Sequence, residues 1–420
     1  MYKLVGGIWA LLLGVFLLMI GNGMQGTLIG IRASVEGFST YELAFLTSGY
    51  FFGFLGGSTL APEIIRRVGH VRVFAALASL ISASLIVYPI FTNVWAWVIL
   101  RVIVGFCFSG VYVTAESWLN NSATNKTRGK ILSLYLIVQM AGIVSGQALL
   151  NIGDVNGYLL FIIPSILISI SFTPILLSVS PGPTFETTKK MSLRSLYKVS
   201  PLGFVGMFII GGIFSAQFGM SAVYGAGIGL SVGEISIFVS SIFIGGICFQ
   251  YPIGWISDRI DRRVLIIYVS CFGGIAVIFG YFLSEYFWAL VLSGFLLGGF
   301  SNPLYSLLIA YTNDYLDTDD MAAASGGLIF IGGVGAVIGP FIMGWLMSNY
   351  GPSGFWLYLI ALMGSITLYA GFRTTQRSSL YFTSEEEYDP VSYANIGFSS
   401  TQVVGEAAQD FYVDNITETK

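Results

Sequence analysis

Two charged residues interrupt the apolar stretches of this sequence and are the first candidates for chemistry. Arg101 and Glu116 are the only residues with a formal charge inside the twelve apolar segments given below. A charge within hydrocarbon costs roughly 2.5 to 3.5 kcal/mol on insertion scales, so it is a functional hypothesis by default. We expect Arg101 either to bind an anionic group of a ligand or to hold neighbouring helices by hydrogen bonds, and both readings stay open. Glu116, near the end of its segment, is expected to pair with a cation.

Uncharged polar residues in other apolar segments could line a cavity around Arg101. Gln25 and Gln217 are the best pair, because they occupy equivalent places in an internal repeat and would face each other across its axis. The alternative is interhelical hydrogen bonding, worth about 0.6 kcal/mol on average. The full set of candidate lining residues is Asn22, Gln25, Gln147, Gln217, Tyr224 and Asn302.

Neither a metal site nor an enzyme site is expected. The single histidine, His70, stands among arginines in a predicted solvated loop, and the three cysteines have no CxxC spacing. No nucleophile and base occur together, and no phosphate-binding GKS or GKT pattern is present. We therefore expect no catalytic residue, no cofactor and no nucleotide-driven pumping.

The composition requires a membrane protein to position these residues. Hydrophobic residues make up 55% of the chain and charged residues 10%, and the mean hydropathy is +0.80. Each apolar segment is near the about 20 residues that cross a bilayer as a helix. The sequence therefore predicts an all-α membrane protein with twelve transmembrane helices, at about 8–30, 43–62, 73–92, 95–118, 131–151, 158–178, 203–224, 235–255, 264–283, 286–312, 323–347 and 354–372.

The positive charges predict the orientation. With the N-terminus in the cytoplasm, 17 of the 19 Lys and Arg residues lie on the cytoplasmic side. Only Arg32 lies outside, and only Arg101 lies within a span. Because basic loops stay in the cytoplasm, both termini are expected there, with the chain a multi-pass protein of the cytoplasmic (inner) membrane.

An internal repeat divides the chain into two pseudo-symmetric six-helix halves. A shift of 192 residues superimposes Gln25 on Gln217, and it also aligns two S-x-x-E sequences, at 39–42 and 231–234, that are typical of helix capping boxes. We predict an N-terminal half at 1–178, a cytoplasmic linker at 179–202 with a short surface helix in its second part, a C-terminal half at 203–373, and a disordered cytoplasmic tail at 374–420.

Charge is concentrated in the stretch GWISDRIDRR, residues 254–263. Its charged side chains can pair with helix ends of their own half and across the halves, so that the loop latches the cytoplasmic side shut. The alternative is that a basic loop sets topology alone. In the equivalent loop of the first half no aspartate is present, and Glu63, one turn away, is the expected substitute. Glu116 is a candidate partner for Arg66, Arg67 or Arg72.

The same stretch resembles the G-x-x-x-D-R-x-G-R-R loop signature of the major facilitator superfamily, with Gly254, Asp258, Arg259, Arg262 and Arg263 matching and Asp261 in place of the second glycine. RVIVGFCFSG resembles the R-x-x-x-G pattern of the fourth span, through Arg101 and Gly105. The resemblance implies that Asp258 lies at a helix N-terminus of the other half and that Arg259 lies near Asp314.

Two further comparisons refine the resemblance. GAVIGP, residues 335–340, is similar to the glycine-proline pattern of antiporters but falls in span eleven, whereas the fifth span has GIVSGQ with Gln147 in place of proline. The segments at 61–72 and 115–130 resemble the bacterial YcaD-like branch.

The resemblance implies a secondary active or facilitative transporter that moves a small organic solute by alternating access. The expected partners are that solute, the lipid bilayer and a proton or other coupling ion, without nucleic acid, and the protein is expected to be a monomer. The alternative is a transporter-like receptor that binds a solute without net flux and signals through the tail. Deleting residues 380–420 separates the two, because flux survives the deletion only in a transporter.

Overall fold

A computed structural model describes residues 2–122, 125–177, 191–316 and 318–376, and within these ranges the chain is helical. Eleven helical stretches are long and apolar enough to cross a membrane, and the last of them, Ala323–Gln376, contains two helices separated by a turn at Gly351–Ser353. Twelve spans result, which confirms the all-α fold predicted from the sequence.

The first half contains helices longer than the apolar segments alone. Its elements are α1 (Tyr2–Val35), α2 (Thr40–Val68), α3 (His70–Val87), α4 (Val94–Ser122), α5 (Asn125–Leu149), α6 (Leu159–Ser171) and α7 (Thr173–Leu177). The last two together form the sixth span.

A short helix, α8 (Leu193–Val199), follows in the described part of the linker. The second half then contains α9 (Pro201–Ser215), a π-helical turn (Ala216–Met220), α10 (Ser221–Gly227), α11 (Val232–Ser257), α12 (Arg262–Leu283), α13 (Phe287–Asn313), α14 (Thr318–Tyr350) and α15 (Gly354–Gln376). Residue 178, the predicted linker up to 190 and the tail beyond 376 lie outside the described residues.

The two predicted capping boxes are present. Ser39 and Ser231 each accept a hydrogen bond from the backbone N–H of the glutamate three residues on, and that glutamate accepts one from the serine N–H. These caps start α2 and α11, the second span of each half. We call this side of the bundle the cap end, and the side that carries Arg66, Arg67 and 254–263 the basic end.

Helix packing repeats between the halves, as expected from the repeat in sequence. In the first half α2 packs on α4 and α1 on α5, and in the second half α11 packs on α13 and α9 on α14. The closest approaches use glycine, because its lack of a side chain lets two backbones meet in a medium without water. Gly53 lies against the backbone of Val102, and Gly245, 192 residues later, lies against that of Phe295.

The halves meet mainly through α2 with α14 and through α5 with α11. These two pairs are equivalent under the repeat, so the interface between the halves has the same pseudo-two-fold symmetry as the bundles. Helix α1 also contacts α10 across this interface. Large exposed apolar side chains, including Phe52, Tyr251 and Trp288, cover the surface that faces hydrocarbon.

Candidate functional site

Arg101 lies in the interior of the bundle, with 4% of its surface exposed. Its Nη1 donates a hydrogen bond of 2.8 Å to Oε1 of Gln25 on α1, and its Nε donates one of 3.3 Å to the backbone oxygen of Leu46 on α2. The guanidinium carbon lies 4.5 Å from the centre of the Tyr50 ring, a cation–π distance. Arg101 therefore joins α4 to both α1 and α2 through neutral partners.

A row of hydrogen bonds continues from Gln25 along α1. Gln25 Nε2 donates to Asn22 Oδ1 at 3.1 Å, and Asn22 Nδ2 donates to the Tyr112 hydroxyl at 2.9 Å. Tyr112 in turn donates to the Met19 sulfur at 3.3 Å. Because each member holds the next, the orientation of the Gln25 amide towards Arg101 is fixed by the network.

Gln147 and Gln217 belong to the same central region. Gln147 Nε2 donates to the backbone oxygen of Gly23 at 2.7 Å, whereas its buried Oε1 has no hydrogen-bond partner. Gln217 lies in the π-helical turn and donates to Ser301 Oγ at 2.6 Å. A π-helical turn inside an α-helix often marks a functional position, because it changes which side chains face a site.

These side chains line a small cavity of about 40 Å³ between the halves. That volume admits only a few water molecules. Both predicted glutamines of the repeat are on its wall, together with Arg101, Asn22 and Gln147. The remaining lining residues are Gly23, Gly26, Thr27, Tyr50, Ile143, Phe218, Val239 and Phe243.

Two predicted lining residues lie elsewhere, which corrects the expectation for them. Tyr224 is buried within the second half, where its ring stacks on Phe355 with ring centres 4.7 Å apart. Asn302 donates to the backbone oxygen of Gly298 on its own helix and packs against Gly246 of α11. Neither contributes to the walls of the central cavity, and both stabilise packing inside the second half.

At the basic end, Arg262 rather than Arg259 is the partner of Asp314. Arg262 forms an ion pair with Asp314 and lies 3.8 Å from Asp258. Arg259 instead stacks on the Trp255 ring at 3.7 Å and donates to the Trp255 backbone oxygen. The prediction of an Arg259 to Asp314 contact is therefore wrong, because Arg262, the first residue of α12, is the one directed at the end of α13.

Asp258 and Arg263 also have charged partners within their own half. Asp258 is the C-cap of α11, and its charged neighbours, Arg259 and Arg262, belong to its own half, not to a helix of the other half. Burial raises the pKa of Asp258 above its ordinary value, and these two arginines act against that rise. Arg263 pairs with Asp261 at 2.7 Å, also within the half.

In the first half, Glu63, one of the two acidic residues expected near these arginines, is the one that pairs with Arg66 and Arg67. Arg66 and Arg67 each form a 2.8 Å ion pair with Glu63, one turn away on α2. Glu116 is 1% exposed, and one of its oxygens lies 3.5 Å from the Tyr135 hydroxyl.

The prediction that His70 is solvated is wrong. His70 is 2% exposed and lies 3.0 Å from Ser117 Oγ. His70 is the first residue of α3, and α4 covers it, since its ring meets that of Trp118 with centres 6.2 Å apart.

The contacts that join the halves include several on the cap-end side of the cavity. Ser236 donates to the Gln147 backbone oxygen, and the Thr47 hydroxyl donates to the Met220 sulfur at 3.5 Å. The Phe45 and Phe341 rings meet edge to face with centres 5.0 Å apart. Gln147 thus belongs both to the cavity wall and to the interface between the halves.

Tyr50 and Thr27 are cavity residues that the sequence analysis missed. Each stands in an apolar run with no charge or repeat partner to distinguish it. Tyr50 lies on the second span and faces Arg101 on the fourth. The sequence does not show that these two spans pack together, so it could not identify Tyr50 as a cavity residue.

Comparison with known proteins identifies the family and agrees with the fold. The sequence profile described as Major Facilitator Superfamily matches residues 11–233 and 202–399. An uncharacterized MFS-type transporter YcaD from Escherichia fergusonii is 26% identical over 373 residues, which cover 88% of this chain and 96% of that protein. The protein of the same name from Salmonella heidelberg is 26% identical over 347 residues, 81% of this chain and 88% of its own length.

Solved transporter structures have the same architecture. The nucleoside transporter NupG superposes with a TM-score of 0.70 at 15% identity, covering 88% of this chain and 99% of its own. The D-xylose-proton symporter superposes with a TM-score of 0.69 at 14% identity, covering 89% and 97%. Since the family profile covers most of the sequence, this multi-pass membrane protein belongs to the major facilitator superfamily of transporters.

Proposed function

We propose that the chain moves a small organic solute across the cytoplasmic membrane by alternating access, as a secondary active or facilitative transporter. The observation that carries this proposal is the polar cavity that side chains of both halves line. A site at the repeat interface becomes accessible from either side when the halves rock against each other. Arg101, Gln25, Asn22, Gln147 and Gln217 form its polar wall.

The contacts between the halves favour a conformation in which one side of the cavity is closed. On the cap-end side, Thr47, Ser236 and the Phe45 and Phe341 rings bring the halves together above the cavity. Because basic loops face the cytoplasm, the cap end is the external side in our proposal. Both termini then lie in the cytoplasm, and this conformation is closed towards the outside.

At the basic end, ion pairs act as the cytoplasmic latch in our proposal. Arg262 is its centre, because it contacts Asp258 at the end of α11 and Asp314 after α13. These pairs lie within the second half, so in our proposal the latch joins the halves only when the cytoplasmic side closes. Its other expected members are Arg66, Arg67, Arg259 and Arg263. Rocking of the halves changes the surroundings of these charges, so binding energy or a coupling ion such as a proton can shift the equilibrium between open and closed states.

Transport in proteoliposomes tests the proposal. Purified protein is reconstituted and exposed to a cell metabolite extract, with and without a proton gradient, and the accumulated compounds are identified by mass spectrometry. We expect one solute class to accumulate, and accumulation to be lost in Arg101→Gln. The matched control is Arg32→Gln, because Arg32 pairs with Glu36 away from the cavity. Absence of accumulation under every condition contradicts transport.

A further inference from the structure

We propose that the transported solute is a small organic anion and that its carboxylate pairs with Arg101. The inference rests on the proposed transport function and adds the charge of the solute to it. It starts from the chemistry of the guanidinium group, which has five N–H donors and stays protonated in proteins. Among the described residues, two of these donors have protein partners, the Gln25 amide oxygen and the Leu46 backbone oxygen.

The charge of Arg101 has no counterion in the part of the chain that the structure describes. The titratable groups that face it are the phenols of Tyr50 and Tyr88, which are neutral at physiological pH. A buried charge is ordinarily paired, because the loss of its hydration is otherwise uncompensated. Arg101 lines the cavity, and a guanidinium can donate two parallel hydrogen bonds to one carboxylate.

Gln147, a second polar residue at the cavity wall, indicates which other polar group the solute carries. Gln147 Oε1 is buried without a hydrogen-bond partner, although the nitrogen of the same amide bonds to Gly23. Because the amide nitrogen of Gln147 already donates to Gly23, the atom without a partner is the amide oxygen. Its missing partner must therefore be a hydrogen-bond donor. A hydroxyl group on the solute satisfies it without changing the net charge of the anion. We therefore infer that the solute is a short hydroxy-carboxylate.

The cavity is small, so the solute is compact in our proposal, and the cavity must widen before the solute enters. About 40 Å³ holds a few water molecules and no complete organic acid. Phe218 and Phe243, whose rings meet with centres 5.1 Å apart, are the bulky side chains of the wall. Separation of the halves moves these rings, one on the seventh span and one on the eighth, relative to Arg101 on the fourth.

Fractionation of the extract by charge tests the inference. A cell extract is separated by anion exchange into an anionic fraction and a neutral and cationic fraction, and each is offered to proteoliposomes. We expect accumulation from the anionic fraction alone. Accumulation from the other fraction refutes the anion assignment and leaves transport standing. Absence of accumulation from both refutes transport, and the inference with it.

Gln25→Glu is the decisive variant, because it places a carboxylate where an amide now lies 2.8 Å from Arg101. The internal carboxylate competes with the solute, so we expect anion accumulation to fall by about 10- to 100-fold, the range of a lost charge-assisted hydrogen bond. We expect thermal stability in detergent to be equal to or above that of the wild type, because the variant pairs a buried charge. Wild-type accumulation by Gln25→Glu refutes the proposal and assigns Arg101 to helix packing alone.

Discussion

The close approach of α2 and α4 makes Gly53→Ala a sharp test of the packing. A Cβ added at Gly53 lies 2.7 Å from the carbonyl carbon of Val102 and 2.9 Å from the Phe106 nitrogen, and closer still to the Val102 oxygen. Ordinary van der Waals contact begins at 3.4 Å, so α4 must move away by at least 0.7 Å, the difference between 3.4 and 2.7 Å. Overpacking of this kind typically costs about 1 to 3 kcal/mol.

Gly56→Ala on the same helix is the matched control. Its added Cβ meets only the Phe106 ring, at 3.7 Å, which is ordinary contact. Both changes bring the same gain in helix propensity, about 1 kcal/mol, so the difference between them isolates the backbone clash. We expect Gly56→Ala to be as stable as the wild type or more stable, and Gly53→Ala to be less stable than Gly56→Ala by about 1 to 3 kcal/mol.

The assay is thermal unfolding in one detergent at one heating rate, since membrane proteins commonly unfold irreversibly and their apparent Tm depends on scan rate. The repeat supplies an internal replicate, because a Cβ added at Gly245 lies 2.7 Å from the Phe295 carbonyl carbon. Equal Tm values for Gly53→Ala and Gly56→Ala would show that α2 and α4 are farther apart than described here.

Three further predictions follow from contacts at the two ends of the bundle. A cysteine pair at Ala44 and Gly344 is expected to form a disulfide across the halves and to stop transport until it is reduced. An added Cβ on Gly344 lies 2.9 Å from that of Ala44, so a small separation of the two helices brings the pair to the about 3.5 to 4.5 Å of a disulfide. Unchanged transport with complete cross-linking would contradict rocking of the halves. Arg262→Gln is expected to change initial transport rates more than Arg259→Gln, because only Arg262 pairs with Asp314; the reverse order would remove Arg262 from the latch. Ser39→Ala is expected to lower stability by about 1 kcal/mol and Ser39→Gly by only a few tenths, as for other helix N-caps, and equal losses in thermal unfolding would contradict the capping role.

Local signals in the sequence predicted the fold well. The capping boxes at Ser39 and Ser231 depend on residues three positions apart, and both formed as expected. The pairing of Gln25 with Gln217 in one cavity followed from the repeat, since equivalent residues of two related halves lie at equivalent depths.

The face that a helical residue presents was harder to predict. Tyr224 follows the π-helical turn at Ala216–Met220, which inserts a residue and rotates everything after it by about 100° relative to a continuous α-helix. A helical period of 3.6 residues therefore assigns Tyr224 to the wrong face. Asn302 fails for a different reason: Gly246 on α11 leaves room that its side chain fills, and this depends on packing between distant segments.

The uncompensated guanidinium of Arg101 also determines how membrane voltage acts on the proposed cycle. With a monocarboxylate bound the site is electrically neutral, whereas the empty site carries one positive charge. Moving an elementary charge through the full potential is worth about 2.3 kcal/mol per 100 mV, and a charge near the midplane feels part of that. A voltage that is negative inside therefore favours the inward-facing form of the empty carrier but not of the loaded one. The empty carrier is therefore open to the cytoplasm for most of the time. Transport into the cell and transport out of it then have unequal rates.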